Sequence, residues 1–208
     1  MLPIETLLAF FSAALLLALV PGPDNIFVLT QSIFQGKKSG IIVMFGLCTG
    51  LIFHTLAVTL GVAVIFQTSA IAFTILKIIG AGYLLYLAWQ IFKAPSEKID
   101  TKNNKIIDYK KLYYRGIIMN ITNPKVSIFF LAFLPQFTNP NLGSVSFQMI
   151  LLGGLFILAT IIIFGMIALL SGSISQVFNK SEKSQKILNK LASFVFLALA
   201  VKLITTKQ

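Results

Sequence analysis

PIETLLAFFSAALLLALVPGPDNIFVLTQSIF, residues 3–34, decides the fold. The run carries two acidic residues, Glu5 and Asp24, and no basic one. As a single helix it would reach roughly 48 Å, more than the ~30 Å hydrocarbon core of a bilayer. Pro21-Gly22-Pro23-Asp24-Asn25 interrupts it. A proline inside a helix lacks the amide hydrogen and collides with the preceding turn. In lipid, the carbonyls so freed need partners within the protein or beside a water-filled cavity. The stretch therefore reads as a membrane segment that tilts or bends at its proline break.

The rest of the chain repeats this chemistry. Of 208 residues, 57% are hydrophobic and 11% charged, too little polar surface for a soluble domain of this size. The opening apolar run lacks a basic leader and a small-residue cleavage site, so it reads as mature protein rather than signal peptide. A single cysteine excludes a disulfide framework within the chain and a thiolate metal cluster. No cofactor is expected. Six stretches approach the length of a membrane-spanning helix: Pro3 to Phe34, Gly40 to Gln67, Ala70 to Phe92, Gly116 to Phe137, Phe147 to Leu170 and Ile187 to Ile204.

The net charge of +11 would suggest nucleic acid on a soluble surface. Here the cations crowd into short segments between spans, a pattern that belongs to membrane orientation, and nucleic acid is set aside as a partner. Lys37 and Lys38 follow the first span; Lys93, Lys98, Lys102, Lys105, Lys110, Lys111 and Arg115 follow the third; Lys180, Lys183, Lys186 and Lys190 follow the fifth. The loops around Thr68 and from Thr138 to Ser146 hold none. The positive-inside rule places the three basic loops in the cytoplasm and both termini outside, with Lys202 and Lys207 as mild dissent. The segment from Lys110 to Arg115 reads as an interfacial stretch attracted to anionic lipid.

A second break, Asn120-Ile121-Thr122-Asn123-Pro124-Lys125, cuts the fourth span. With three spans per half, the second half enters the bilayer from the opposite side, as in an inverted repeat whose broken segments mark the substrate site. The expected fold is an all-α membrane protein of six transmembrane helices, built as two inverted three-helix repeats with broken first helices. It is one transmembrane domain over residues 1–208, with half-repeats of about 1–92 and 110–208. A basic cytoplasmic loop of about 93–115 joins them.

Ionisable groups at membrane depth cost at least a few kcal/mol and are functional candidates. Asp24 stands where a half-helix restarts, as an N-cap or as a partner for a substrate ammonium or a proton. Free amides there would suit a carboxylate. His54, mid-way along the second span, shares a face with Gly46 and Gly50, whose spacing permits close helix approach. It reads as a hydrogen-bonded packing residue or, from its titration range, a proton relay. Lys125 either snorkels to the interface or attracts a carboxylate; Lys77 reads as snorkelling and Glu5 as interfacial. Gly80, Gly82, Gly153 and Gly154 read as packing positions, and Tyr83, Tyr86 and Trp89 as interfacial aromatics.

At these motifs the chain resembles the LysE/RhtB group of bacterial amino-acid exporters. The carriers are Pro21 to Asn25 with Phe27-Val28-Leu29, Gly36 and Gly40, Gly80 to Leu87, and Asn120 to Lys125 running into Phe130 to Phe137. The resemblance implies amino-acid efflux across the bacterial cytoplasmic membrane, driven by protons or membrane potential, by a six-helix bundle that dimerises. Pro21, Gly22, Pro23, Asn123 and Pro124 match its signature breaks. Exporters of basic amino acids in this group tend to carry an acidic residue after the second break. Val126-Ser127-Ile128-Phe129-Phe130 has none, which favours a neutral substrate such as homoserine, threonine or a leucine-like amino acid. The expected substrate-binding set is Pro21, Gly22, Pro23, Asp24, Asn25, Asn120, Asn123, Pro124 and Lys125, with Asp24 and His54 as proton-coupling groups. A membrane enzyme or scramblase is disfavoured because the spans hold no paired carboxylates, His/Asp dyad or metal set. A passive channel would need a continuous polar stripe, and only two polar clusters are present.

Overall fold

The computed structural model describes residues 2–68, 70–93, 108–173 and 182–205, and no strand occurs among them. Lys98, Lys102, Lys105, Lys180 and Lys207, and the side chains of Lys77, Lys183, Lys186 and Lys202, lie outside the described part. The chain forms α1 (Ile4–Leu19), α2 (Pro23–Gln35), α3 (Lys37–Thr68), α4 (Ala70–Lys93), α5 (Tyr109–Ile121) and α6 (Pro124–Ile128). A π-helical turn (Phe129–Phe133) and a 3-10 turn (Leu134–Phe137) extend α6, and α7 (Val145–Leu169) and α8 (Glu182–Thr205) follow.

The breaks fall where the prolines put them. Pro23 and Pro124 each occupy the first turn of the restarted helix, where the missing amide hydrogen costs nothing. Across the two breaks the chain bends by 58° between α1 and α2, and by 48° between α5 and the segment Pro124–Phe137. Between α2 and α3, Gly36 takes a φ of +85°, a left-handed conformation that side chains disfavour. Pro135 accounts for the irregular end of the Pro124 segment: it has no amide to bond the carbonyl of Leu131. One residue is accommodated as a π turn, with the Leu134 amide reaching back to Phe129 O.

Two helices are long and apolar enough to cross a membrane unbroken: 25 residues of α3 (Lys37–Gly61) and 25 of α7. Counting each bent pair as one span raises this to four. In α4 and α8 the described apolar stretches, Ile78–Gln90 and Asn189–Val201, are shorter. Large apolar side chains face outward: Leu60 and Ile71 are each 74% exposed, as contact with lipid tails allows and water would not. The interior holds Phe10, Phe129, Phe130, Phe133, Phe137 and Phe156, whose ring centroids lie 4.8 to 6.3 Å apart. Such pairs contribute about 0.5–1.5 kcal/mol each beyond their buried area.

Small residues set the helix spacing. A side chain at Gly46 would strike Tyr113 O, and one at Gly116 would lie 2.7 Å from Val43 O, so α3 and α5 meet nearly backbone to backbone. The Gly46 and Gly50 face thus looks inward, against α5. Gly153 admits Thr55 of α3 against α7. Gly82 and Gly154, by contrast, have open space around them and are not packing positions. A β-carbon at Gly50 would sit 2.6 Å from Asn120 Cβ and 2.7 Å from Asn120 Oδ1. Gly50→Ala is expected to destabilise the protein by about 1–3 kcal/mol through overpacking. Gly82→Ala should leave the thermal midpoint in detergent unchanged or slightly raised. Equal midpoints for the two variants would refute the close α3–α5 contact.

Candidate functional site

Two helix ends in an apolar interior leave carbonyls that must be satisfied. At the end of α1, Leu16 O accepts from the Val20 amide, and Ala18 O from Asn25 Nδ2 at 2.6 Å. Leu17 O and Val20 O accept from Lys125 Nζ at 3.3 and 3.1 Å. Lys125 belongs to the second break and closes the first. At the end of α5, Ile118 O accepts from the Thr122 amide and hydroxyl. Asn120 O accepts from the Asn123 amide and lies 3.1 Å from His54 Nε2. Asn120 Nδ2 donates to Asp24 Oδ2 at 3.0 Å. The two halves are therefore latched reciprocally: the first charged residue after each break bonds the helix end before the other.

These positions correct two readings. Lys125 does not snorkel; it is 6% exposed, with its ammonium at the negative end of the α1 dipole. Asp24 is not an N-cap, because Gly22 holds that position and no side chain caps α2. Its carboxylate is instead engaged by Asn120, with Asn123 close by. Burying either charge costs several kcal/mol per ion before compensation. Asp24 and Lys125 line the same cavity without bonding each other.

Gly22 is extended and leaves room for the lysine: a β-carbon there would lie 3.0 Å from Lys125 Nζ. Asn123 caps α6 by accepting from the Lys125 amide at 3.0 Å. Among the described residues, six buried side-chain atoms lack a hydrogen-bond partner, and four belong to the breaks: Asp24 Oδ1, Asn25 Oδ1, Asn120 Oδ1 and Asn123 Nδ2. Unused polar capacity is rare inside proteins and here it is concentrated at one place. The cavity between Asp24, Asn120 and Lys125 has about 10 Å³ of free space, enough for one water molecule.

His54 stands beside this cluster, half-buried, with its ring 5.6 Å from that of Phe130. It reaches Asp24 only through Asn120. Sequence reading missed the wall that α7 supplies, where Phe156, Thr160 and Phe164 line the cavity. The available signal was Thr160, a polar residue at the middle of a 25-residue apolar helix. Among the described residues no group of three or more His, Cys, Asp or Glu is placed to hold a metal ion.

Membrane-length helices broken around a buried pair of opposite charges define a helical membrane protein with its polar site at the breaks. The family model for LysE type translocators matches residues 15–207, and the chain belongs to that family. It is 30% identical to "Uncharacterized membrane protein YrhP" of Bacillus subtilis (strain 168), over 95% of this chain and 98% of that one. It is 32% identical to "Leucine efflux protein" of Salmonella choleraesuis (strain SC-B67), over 96% of this chain and 94% of that protein. The same figures hold for "Leucine efflux protein" of Salmonella paratyphi A (strain ATCC 9150 / SARB42). No solved structure matches the chain.

Proposed function

We propose that this protein exports neutral amino acids across the bacterial cytoplasmic membrane, binding them between the two breaks. The observation that carries this reading is the opposed pair Asp24 and Lys125, buried on one cavity. A zwitterion complements such a pair. Its ammonium is matched by Asp24 Oδ1 and Asn120 Oδ1, which have no partner of their own. Its carboxylate is matched by Lys125 and by the uncapped first turn of α2. The similarity to leucine efflux proteins supports an amino-acid substrate, and the apolar run after Lys125 supports a neutral one.

The reading extends to the architecture. Six spans with both termini outside place the breaks near the bilayer midplane, where transporters of inverted-repeat design bind their substrates. The helix packing supports the repeat. Exchanging halves turns the α3–α5 contact into the α7–α1 contact, and pairs α3 with α7 and α4 with α8. An amino acid does not fit into 10 Å³, so binding requires the latch between the halves to open. Rocking the halves apart on one side and then the other gives alternating access. Asp24 is the group that takes up and releases a proton as the latch changes, and His54, on the backbone carbonyl of the same Asn120, is the second proton-coupling group.

Efflux from cells fed dipeptides, with and without this protein, tests the proposal. Faster release of one or a few neutral amino acids is expected, abolished when the proton gradient is collapsed. Unchanged release of every amino acid, with the protein verified in the membrane, would overturn the function.

A further inference from the structure

Resting on that reading, we infer that one face of α7, formed by Phe156, Thr160 and Phe164, selects the substrate side chain, accepting aliphatic groups and a small hydroxyl. An α-amino acid carries three substituents besides hydrogen on its Cα. Asp24 with Asn120 matches the ammonium and Lys125 the carboxylate, and these groups come from α2, α5 and α6. The side chain must then point at the rest of the cavity wall, where Leu17, Ala18, Leu51 and Val126 supply small or aliphatic surface and α7 supplies the aromatic rings and a hydroxyl. Phe156, Thr160 and Phe164 recur every four residues, so they form one stripe of α7, and all three line the cavity.

The stripe is rigidly held. One turn before it, Gly153 seats Thr55 of α3, leaving no room for a β-carbon between the helices. Phe156 is locked among the rings of Phe129 and Phe130, at 5.1 and 5.2 Å between centroids. Its position caps the volume available to a side chain. Thr160 is 2% exposed and lies on the cavity. Its hydroxyl is the one polar group on an otherwise apolar wall, so it can meet a substrate hydroxyl that would otherwise be buried unpaired.

Initial export rates of leucine, phenylalanine, valine and threonine from dipeptide-fed cells read this directly, each normalised to protein in the membrane fraction. Phe156→Ala, and the milder Phe156→Leu should alanine disturb folding, is expected to raise the phenylalanine-to-leucine ratio about tenfold. That is the scale on which apolar pockets discriminate one or two methylenes. Thr160→Val, which keeps the side-chain shape, is expected to lower the threonine-to-valine ratio about tenfold. If the wild type exports amino acids and both ratios stay within twofold of it, the side chain is read elsewhere and this inference alone fails. If the wild type exports none, the functional reading fails and the inference falls with it.

Discussion

Asp24→Asn is expected to reduce export at least about a hundredfold while the protein still inserts and folds. Asparagine keeps the shape, and its carbonyl can still accept from Asn120 Nδ2, the bond that joins α2 to α5. What disappears is the charge opposite Lys125 and the free Oδ1 acceptor. A buried charge left without its partner costs 2–5 kcal/mol in recognition, and each 1.4 kcal/mol is a factor of ten. Three kcal/mol thus corresponds to about a hundredfold. Initial efflux rate against membrane-fraction abundance is the measurement. Normal efflux from a well-expressed Asp24→Asn protein would remove Asp24 from the site. A protein that fails to reach the membrane would show instead that the carboxylate is mainly structural.

Lys125→Met is expected to abolish export and to destabilise the fold more than Asp24→Asn does. Methionine fills the space of the lysine stem but donates nothing. Leu17 O and Val20 O then lose their partner at a helix end buried in apolar surroundings, at about 1–3 kcal/mol for each unsatisfied group. Asp24 also loses its counter-charge. The double variant Asp24→Asn/Lys125→Met separates these effects, since it removes both charges together. It should be more stable than Lys125→Met alone, because no uncompensated carboxylate remains, yet equally inactive. Thermal stability in detergent beside efflux decides the matter. A double variant less stable than Lys125→Met would mean that the two residues do not compensate each other.

The breaks are legible as chemistry in the sequence alone. Prolines at 21, 23 and 124 forbid continuous helices, and polar residues beside them in apolar runs mark backbone that must be satisfied internally. The inward face of Gly46 and Gly50 was equally legible, because four-residue spacing survives from sequence to helix. Other readings failed because they depended on neighbours. Gly82 looks like Gly153 in a list of residues, yet only Gly153 meets another helix. Thr160 looks like an ordinary hydroxyl, and its place on the cavity comes from α7 crossing beside both breaks. The π turn at Phe129–Phe133 follows from Pro135, but whether the lost bond is absorbed by a kink, a bulge or a helix end is settled by the packing of the phenylalanine rings.

By itself the sequence determined that this chain is an apolar helical protein with two interruptions carrying Asp24 and Lys125. Hydrophobicity, helix length and proline stereochemistry are local properties that no fold can override. Only the tertiary structure decided that each charge serves the other break. Lys125 lies 105 residues from Val20, and Asn120 lies 96 from Asp24. Such pairings are chosen by which buried carbonyl, amide and charge the packed helices bring within hydrogen-bond reach. That choice exists only once the whole bundle has closed around them.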